Sequence, residues 1–354
     1  MASAPSPSTP DLAALAAATL TGFERAAAQV GEHVEHLQIA GVHLRVRLAG
    51  QALTDSLLPA LSRCRMDGVE ATDAPAATFH AWESRTSGIP APRPPWSIDD
   101  YLPRDEIRGS GADGIDVSYA LATRILSVWD RSPSRGVFWV DDAAALPTWE
   151  PNAPFRNLLH WALADRGLVL AHAAVVGTPA GGVLLAGRGG AGKSTTSLVC
   201  VDAGWRYVSD DYCVLATEGP PTAHALYGIG KLSPGMLERL PGLAPAAMYQ
   251  RDDGKVVLDL SVGRPEQLTS SLPLRAVVVP RIGTATGRLT RLPPSAGARA
   301  LAPSTLFQLP GARPGTLGAI AAAIGGLPVY GLEVGPDLPA IPAALLPAID
   351  GLVP

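Results

Sequence analysis

The segment Gly187–Ser194 reads Gly-Arg-Gly-Gly-Ala-Gly-Lys-Ser, and it constrains the fold more than any other part of the chain. It follows an apolar run, Val183–Ala186, and it opens a helix-like segment, Ser194–Ala203. A strand, a glycine-rich loop and a helix in this order are typical of a phosphate loop, in which backbone N–H groups and the helix N-terminus surround a phosphate. The sequence therefore predicts a nucleoside triphosphate site in an α/β fold.

The residue types within this loop predict individual contacts. Lys193 would reach the β- and γ-phosphates, and the Ser194 hydroxyl would hold Mg²⁺. Arg188 either meets a phosphate or points away from the site. We expect ATP and Mg²⁺ as cofactors, with the nucleotide bound by Gly187, Arg188, Gly189, Gly190, Ala191, Gly192, Lys193, Ser194 and Thr195.

The charge and cysteine content exclude several classes of protein. The 28 basic and 32 acidic side chains give a net charge of −4 without a basic cluster, so we expect no nucleic-acid partner. Three cysteines without a C-x-x-C pair argue against a disulfide scaffold or a zinc site. The start of the chain lacks the basic and apolar regions of a signal peptide, and Pro314–Leu332 is too interrupted by glycine and proline to span a membrane. We therefore expect a cytoplasmic protein with no membrane contact.

The chain divides into three predicted parts. Residues 1–11 form a Ser/Pro/Ala-rich mobile tail, and residues 12–150 form a small N-terminal α/β module. Residues 151–354 form the domain that carries the phosphate loop. Because the module contains no catalytic motif, we assign it a role in acceptor recognition or in forming a homo-oligomer.

Two consecutive acids, Asp210 and Asp211, end the predicted strand that follows the phosphate-loop helix. In a parallel layout this strand returns beside the strand of the loop, so its carboxyl end lies next to the phosphates. Successive side chains of a strand point to opposite faces, and the two acids therefore have different roles. One could accept the proton of an attacking hydroxyl and the other could hold the metal, whereas an exposed acidic turn is the alternative.

These residues resemble the kinase domain of the HPr kinase/phosphorylase family, whose fold is related to phosphoenolpyruvate carboxykinase. The resemblance rests on His172 before the loop, on Gly192-Lys193-Ser194 within it, and on the acids at 210 and 211 after it. Family members that modify HPr carry a glutamate after the loop serine, where this chain has Thr195. The stretches Leu168–His172, Ser209–Cys213 and Leu301–Phe307 are similar to a divergent branch that includes tailoring kinases of lasso peptides.

The resemblance implies a phosphate-loop kinase domain and phosphoryl transfer to a serine-type hydroxyl. By the same resemblance, Asp210 would be the catalytic base, Lys193 and His172 would lie beside the phosphates, and Ser194 and Asp211 would lie near the metal. The acceptor would be a serine on a peptide or protein. A kinase acting on a small molecule, and a nucleotide-dependent binding module without transfer, are the alternatives.

Two lysines next to glycine, Lys231 and Lys255, also fall in the catalytic part. Each could contact a phosphate or the acceptor, but a solvated turn residue is the more frequent case for a lysine in this position. The sequence alone assigns neither of them to the site.

Overall fold

The computed structural model describes residues 10–66, 68, 74–285, 287–311 and 315–352. Over these ranges the chain is a mixed α/β protein with β-sheets of six, nine and three strands. Within the same ranges, no helix is both long and apolar enough to cross a membrane. Of the predicted tail, only Pro10 and Asp11 are described; the Asp11 carboxylate accepts a hydrogen bond from the Ala14 N–H at 2.9 Å and so caps the first helix.

The first part of the chain forms the six-stranded sheet, in the order β1-β2-β3-β6-β5-β4. Its elements are α1 (Leu12–Val30), β1 (Glu32–Ile39), β2 (Val42–Ala49), α2 (Gln51–Leu57), β3 (Ala77–Glu83), α3 (Ser84–Ser87), β4 (Ile115–Ala120), β5 (Ile125–Asp130) and β6 (Arg135–Val140). The sequence patterns of α1, β2, β3, β5 and β6 are typical of the helix and strands that they form. The helix-like segment Leu53–Cys64 is divided between α2 and a 3₁₀ helix, Pro59–Cys64, because proline has no N–H to continue the α-helix.

The two faces of this sheet pack against different parts of the protein. Side chains alternate between the faces along each strand, so Val128 and Trp139 pack on the face that α1 covers. The opposite face carries Phe138, whose ring meets the ring of Phe155 edge to face at a centroid distance of 5.1 Å. Residues before and after position 150 therefore share one hydrophobic core.

The second part of the chain forms the other two sheets and most of the remaining helices. Its elements are α4 (Arg156–Ala164), β7 (Leu168–Ala171), β8 (Ala174–Thr178), β9 (Gly181–Leu185), α5 (Lys193–Asp202), β10 (Arg206–Ser209), β11 (Cys213–Ala216), β12 (Thr222–His224), β13 (Ile229–Leu232), α6 (Pro234–Glu238), β14 (Ala247–Gln250), β15 (Val256–Asp259), α7 (Leu260–Gly263), β16 (Ser271–Ile282), β17 (Leu289–Leu292), α8 (Pro294–Leu306), α9 (Thr316–Ala323), β18 (Val329–Val334) and α10 (Ala340–Asp350). The nine-stranded sheet has the order β10-β8-β9-β16-β12-β11-β7, with β18 paired to β16 and β17 to β18. Strands β13, β15 and β14 form the small sheet.

The predicted adjacency of β9 and β10 is wrong. Strand β8 lies between them and pairs antiparallel with both. The short β8–β9 hairpin brings β8 next to β9 directly, and the parallel partner of β9 is instead β16. Because β9 and β10 are both antiparallel to β8, they run in the same direction, and their carboxyl ends still lie at one edge of the sheet.

Two further segments differ from what their sequence patterns suggest. The apolar run from Leu168 to Val176 does not form one strand, because it is interrupted at His172, where the chain leaves β7 beside β11 and enters β8 beside β9. The tract 283–303 is rich in proline and glycine, as surface connections often are, but it contains β17 and most of α8. Pro294 begins α8 because the first helical position needs no N–H donor.

Candidate functional site

The predicted strand, loop and helix are present as β9, residues 186–192 and α5. Gly190 and Gly192 adopt positive φ angles of 79° and 102°, and a Cβ atom at Gly189 or Gly190 would meet no atom within 4 Å. The loop therefore turns tightly and leaves open space on the side where a ligand could approach.

Lys193, the first residue of α5, turns back over the loop. Its Nζ atom donates to the Gly187 carbonyl at 2.7 Å and to the Arg188 carbonyl at 3.3 Å. Only 7% of the residue is exposed, and this burial lowers its pKa against the opposing effect of Asp210 and Asp211. The ammonium group is thus held at the loop by two carbonyls that a more strongly negative ligand could replace.

A cavity of about 590 Å³ opens in front of the loop. The predicted residues that line it are His172, Gly189, Gly190, Gly192, Lys193, Ser194, Thr195 and Asp211. Gly187 and Ala191 lie in the loop but not in the lining, and Arg188 is exposed on the outside of the loop. Asp210 does not line the cavity, although its neighbour in the sequence, Asp211, does.

Asp210 is buried beneath α5, with 2% of the residue exposed. One carboxylate oxygen accepts a hydrogen bond from the Ser197 hydroxyl at 3.0 Å, and the other accepts from the Lys231 backbone N–H at 3.1 Å. Burial, and then the charge of Asp211, raise the pKa of this carboxyl, while the hydroxyls of Ser194 and Ser197 oppose the rise. Asp210 therefore belongs to the base of the loop helix, beside Ser194.

Asp211 has a different environment at the cavity surface. One of its oxygens lies 3.0 Å from Nε2 of His172, and the other accepts a hydrogen bond from the Lys231 ammonium. Burial alone would raise the pKa of Asp211, but Lys231 and His172 outweigh it and hold the pKa well below its usual range. Asp211 is thus an ionised carboxylate that faces the same space as Lys193.

His172 is fixed by groups from α8 and the residues after it. Its backbone N–H donates to the Thr305 hydroxyl at 3.1 Å, and its Nδ1 lies 3.4 Å from the Gln308 amide nitrogen. Gln308 in turn accepts a hydrogen bond from the Tyr212 hydroxyl at 2.6 Å. The break between β7 and β8 thereby presents the imidazole to Asp211 in one orientation.

The lining also contains cations that sequence reasoning did not place there: Arg156, Lys231, Arg251 and Lys255. Together with Lys193 they give five cationic side chains, of which Arg156, Lys231 and Arg251 pair with Glu150, Asp211 and Asp253. Lys231 and Lys255 each follow a glycine, which makes them candidates from the sequence, whereas no sequence pattern indicates Arg156, Arg251 or Gln308. A cavity with this charge favours a polyanionic ligand.

No cluster of three or more His, Cys, Asp or Glu side chains within the described ranges could hold a metal ion by itself. A hard cation such as Mg²⁺ commonly takes one or two protein oxygens and completes its shell with phosphate oxygens and water. Ser194 and Asp211 supply oxygens of the required type at the cavity, and Asp210 lies buried beside Ser194.

The comparisons with known proteins add little to this geometry. No protein-family model and no curated protein matches the chain. The structure is similar to that of the HPr(Ser) kinase/phosphatase from Coxiella burnetii over 51% of this chain and 95% of that one, with 14% sequence identity and a TM-score of 0.27. A TM-score this low supports no conclusion about function, so any function proposed for this chain has to be argued from its own residues.

Proposed function

We propose that the protein is an ATP-dependent phosphotransferase that moves the γ-phosphoryl group to a serine or threonine hydroxyl on a peptide or protein. The observation that carries this proposal is that the phosphate-loop lysine, Lys193, and the cluster of Asp211, His172 and Lys231 line the same cavity. A nucleotide site alone needs the loop, but it does not need an ionised carboxylate bound to an imidazole opposite the loop.

The residues present fit a magnesium–nucleotide complex. Open space beside Gly189 and Gly190 admits phosphate oxygens. The five cations of the lining exceed the three carboxylates paired with them, those of Glu150, Asp211 and Asp253, by two charges, which favours an anionic ligand. The Ser194 hydroxyl would hold Mg²⁺, which neutralises charge on the phosphates when bound, and the buried Asp210 beside it would orient that hydroxyl. Lys193 would exchange its bonds to the Gly187 and Arg188 carbonyls for phosphate oxygens.

The placement of the acids favours an exchange of the two roles that the sequence suggested. Asp211 faces the cavity and Asp210 does not, so we propose Asp211 as the group that orients the acceptor hydroxyl and receives its proton. Both Asp211 oxygens retain a free lone pair beside their bonds to His172 and Lys231. His172 and Lys231 hold that carboxylate in place during the reaction.

The transfer is balanced without any further reactant. The acceptor oxygen forms a bond to the γ-phosphorus as the bond from that phosphorus to the bridging oxygen breaks. The electron pair of the broken bond leaves with ADP, and the acceptor proton passes to Asp211. Such a step depends mainly on positioning and on charge neutralisation, and Lys193 would neutralise charge on the phosphates.

The test is intact-mass spectrometry of a pool of uncharged peptides with one central serine, incubated with ATP and MgCl₂. Wild type, Asp211→Asn and Asp210→Asn are compared, and nucleotide affinity is measured in parallel. Wild type should add a phosphoryl group to at least one peptide. Asp211→Asn should slow transfer by roughly 10²–10⁴-fold while nucleotide affinity is kept.

Asp210→Asn is the matched control because it removes a charge but preserves the local hydrogen bonds. Its amide oxygen can accept from the Lys231 N–H, and its amide nitrogen can donate to Ser197, whose hydroxyl already donates to the Ser194 carbonyl at 3.1 Å. This variant should need more Mg²⁺ but recover transfer at high Mg²⁺. Loss of transfer only in Asp210→Asn would make Asp210 the base, and nucleotide binding without transfer would favour a small-molecule acceptor or a binding module.

A further inference from the structure

A second cavity, of about 290 Å³, adjoins the first. It lies between the six-stranded sheet and the start of the catalytic part, and Trp149, Arg156 and Gln308 line both cavities. Its size is close to the lower limit of ordinary small-ligand sites, about 300 Å³. The proposed phosphoryl-transfer mechanism uses none of the residues that line this second cavity alone.

The floor of the second cavity is the sheet face that α1 does not cover. Ser118 on β4 and Ser127 on β5 lie directly opposite each other in the antiparallel register, and Ala120 and Phe138 lie on the same face. The cavity exists because short side chains occupy the centre of this face, whereas Phe138 beside them packs into the shared core.

Gln308 forms the connection between the two cavities. Its amide bonds to Tyr212 and lies beside His172, which bonds to Asp211. A group that extends from the second cavity past Gln308 would therefore reach the carboxylate that we propose as proton acceptor. Trp149 stands at the shared boundary with 44% of its surface exposed, as aromatic anchors for a bound chain often do.

The charges in the second cavity are balanced, unlike those in the first. Arg156 pairs with the buried Glu150 at 3.0 Å. The lining contains one further cation, Arg104, and one further acid, Asp105. The remaining polar groups are uncharged: Ser118, Thr123, Ser127, Asn157 and Gln308. This lining suits a polar ligand without net charge better than an anion.

The serine and amide side chains of the lining, Ser118, Ser127, Asn157 and Gln308, would exchange hydrogen bonds with the N–H and carbonyl groups of a peptide. The two arginines of the lining are held by the protein. Arg104 donates to the Leu306 carbonyl at 2.6 Å, and Arg156 donates to Glu150 at 3.0 Å.

We propose that the second cavity is the acceptor subsite, and that it binds an uncharged, polar segment of peptide whose hydroxyl side chain extends past Gln308 toward Asp211. This inference rests on the proposed phosphotransferase function. It gives residues 12–150 a direct part in recognising the acceptor, through β4 and β5.

The test fills the cavity and measures the kinetics of transfer. Ser127→Leu places a larger side chain on the floor, and Thr123→Phe narrows the cavity from the β4–β5 turn without altering a core position. Thr21→Phe, an exposed threonine on α1 at the other face of the sheet, is the matched control. Thermal unfolding of each variant shows whether it is folded.

The probes are serine-centred peptides with uncharged flanks and the same peptides with aspartate flanks. Ser127→Leu and Thr123→Phe should each lower kcat/KM for the uncharged peptides at least tenfold, while the Kd for ATP changes less than twofold. The aspartate-flanked peptides should react at least tenfold more slowly with wild type.

The outcomes separate the inference from the proposed function. If wild type transfers phosphate and the two folded filling variants match Thr21→Phe, the second cavity is not the acceptor subsite. If the aspartate-flanked peptides are the better substrates, the class of acceptor is wrong. If wild type binds ATP but modifies no peptide, the proposed function itself fails.

Discussion

The pH dependence of stability should contain a separable contribution from His80 on β3. The residue is 4% exposed, its Nδ1–H donates to the Gly136 carbonyl at 3.1 Å, and its ring meets the edge of Phe23 at 4.9 Å. Burial lowers the pKa of His80 from 6.5 to about 4, against the opposing effect of the Gly136 carbonyl. The folded protein therefore keeps this imidazole neutral over a range of pH in which the unfolded chain protonates it.

The sign and size of the effect follow from proton linkage. Between the unfolded pKa of 6.5 and the folded pKa of about 4, the unfolded state binds more protons, so the free energy of unfolding falls as the pH falls. A tenfold difference in proton affinity between the two states corresponds to about 1.4 kcal/mol, and the full contribution of His80 is therefore about 3 kcal/mol. Above the unfolded pKa this stabilisation is fully present, and below the folded pKa it is lost.

His80→Phe removes the titrating group but keeps a ring in the same space. Urea unfolding of both proteins should be measured at several pH values from about 7.5 to about 4.5. The variant loses the bond to Gly136 at every pH, which is a constant offset of about 1 kcal/mol. Over the acid range, wild type should lose about 2–3 kcal/mol more than the variant. Parallel pH profiles for the two proteins would refute the reasoning, because other titrating groups are common to both.

Two further substitutions test separate features: the first tests how the two parts of the chain are joined, and the second tests the cation bound to Asp211. Arg63→Leu removes donors to the backbone carbonyls of Tyr207, Val208 and Thr269, and it should lower the free energy of unfolding by about 2–4 kcal/mol in a urea titration; an unchanged midpoint would contradict this. Lys231→Met removes the cation bound to Asp211 and should lower kcat/KM for transfer by roughly 10–150-fold in a coupled ADP assay. Lys255→Met, in the same cavity, is its control, and equal losses in both variants would indicate that only total charge matters.

The local part of the site could be predicted from the sequence. The apolar strand, the glycine-rich loop and the helix of residues 183–202 are contiguous, and their geometry is set by short-range preferences that a pattern can show. Asp210 and Asp211 directly follow β10, whose carboxyl end lies at the same sheet edge as that of β9. Their individual roles depend on burial by α5 and on Lys231, which the alternation of a strand alone does not determine.

The rest of the site depends on contacts between distant parts of the chain. Gln308 and Arg156 reach the cavity from the end of α8 and from α4, and neither belongs to a pattern that indicates a ligand. The prediction that β10 lies next to β9 is wrong for a related reason. The β8–β9 hairpin places β8 next to β9, in the position that a β-α-β unit would give to β10. Such competition between a hairpin and a crossover is decided by packing of the whole sheet.

Lys231 bonds to both of the neighbouring aspartates. Its backbone N–H fixes the buried Asp210, and its ammonium group fixes the ionised Asp211. Both bonds require β13 to lie close against α5, and Gly230 permits this, since a Cβ atom there would be 3.0 Å from a methyl group of Leu198. The side-chain change in Lys231→Met leaves the backbone bond to Asp210 intact, so the two acids can be uncoupled. The small sheet of β13, β14 and β15 thus has a direct part in the site, because it supplies the cation that keeps Asp211 ionised at the cavity.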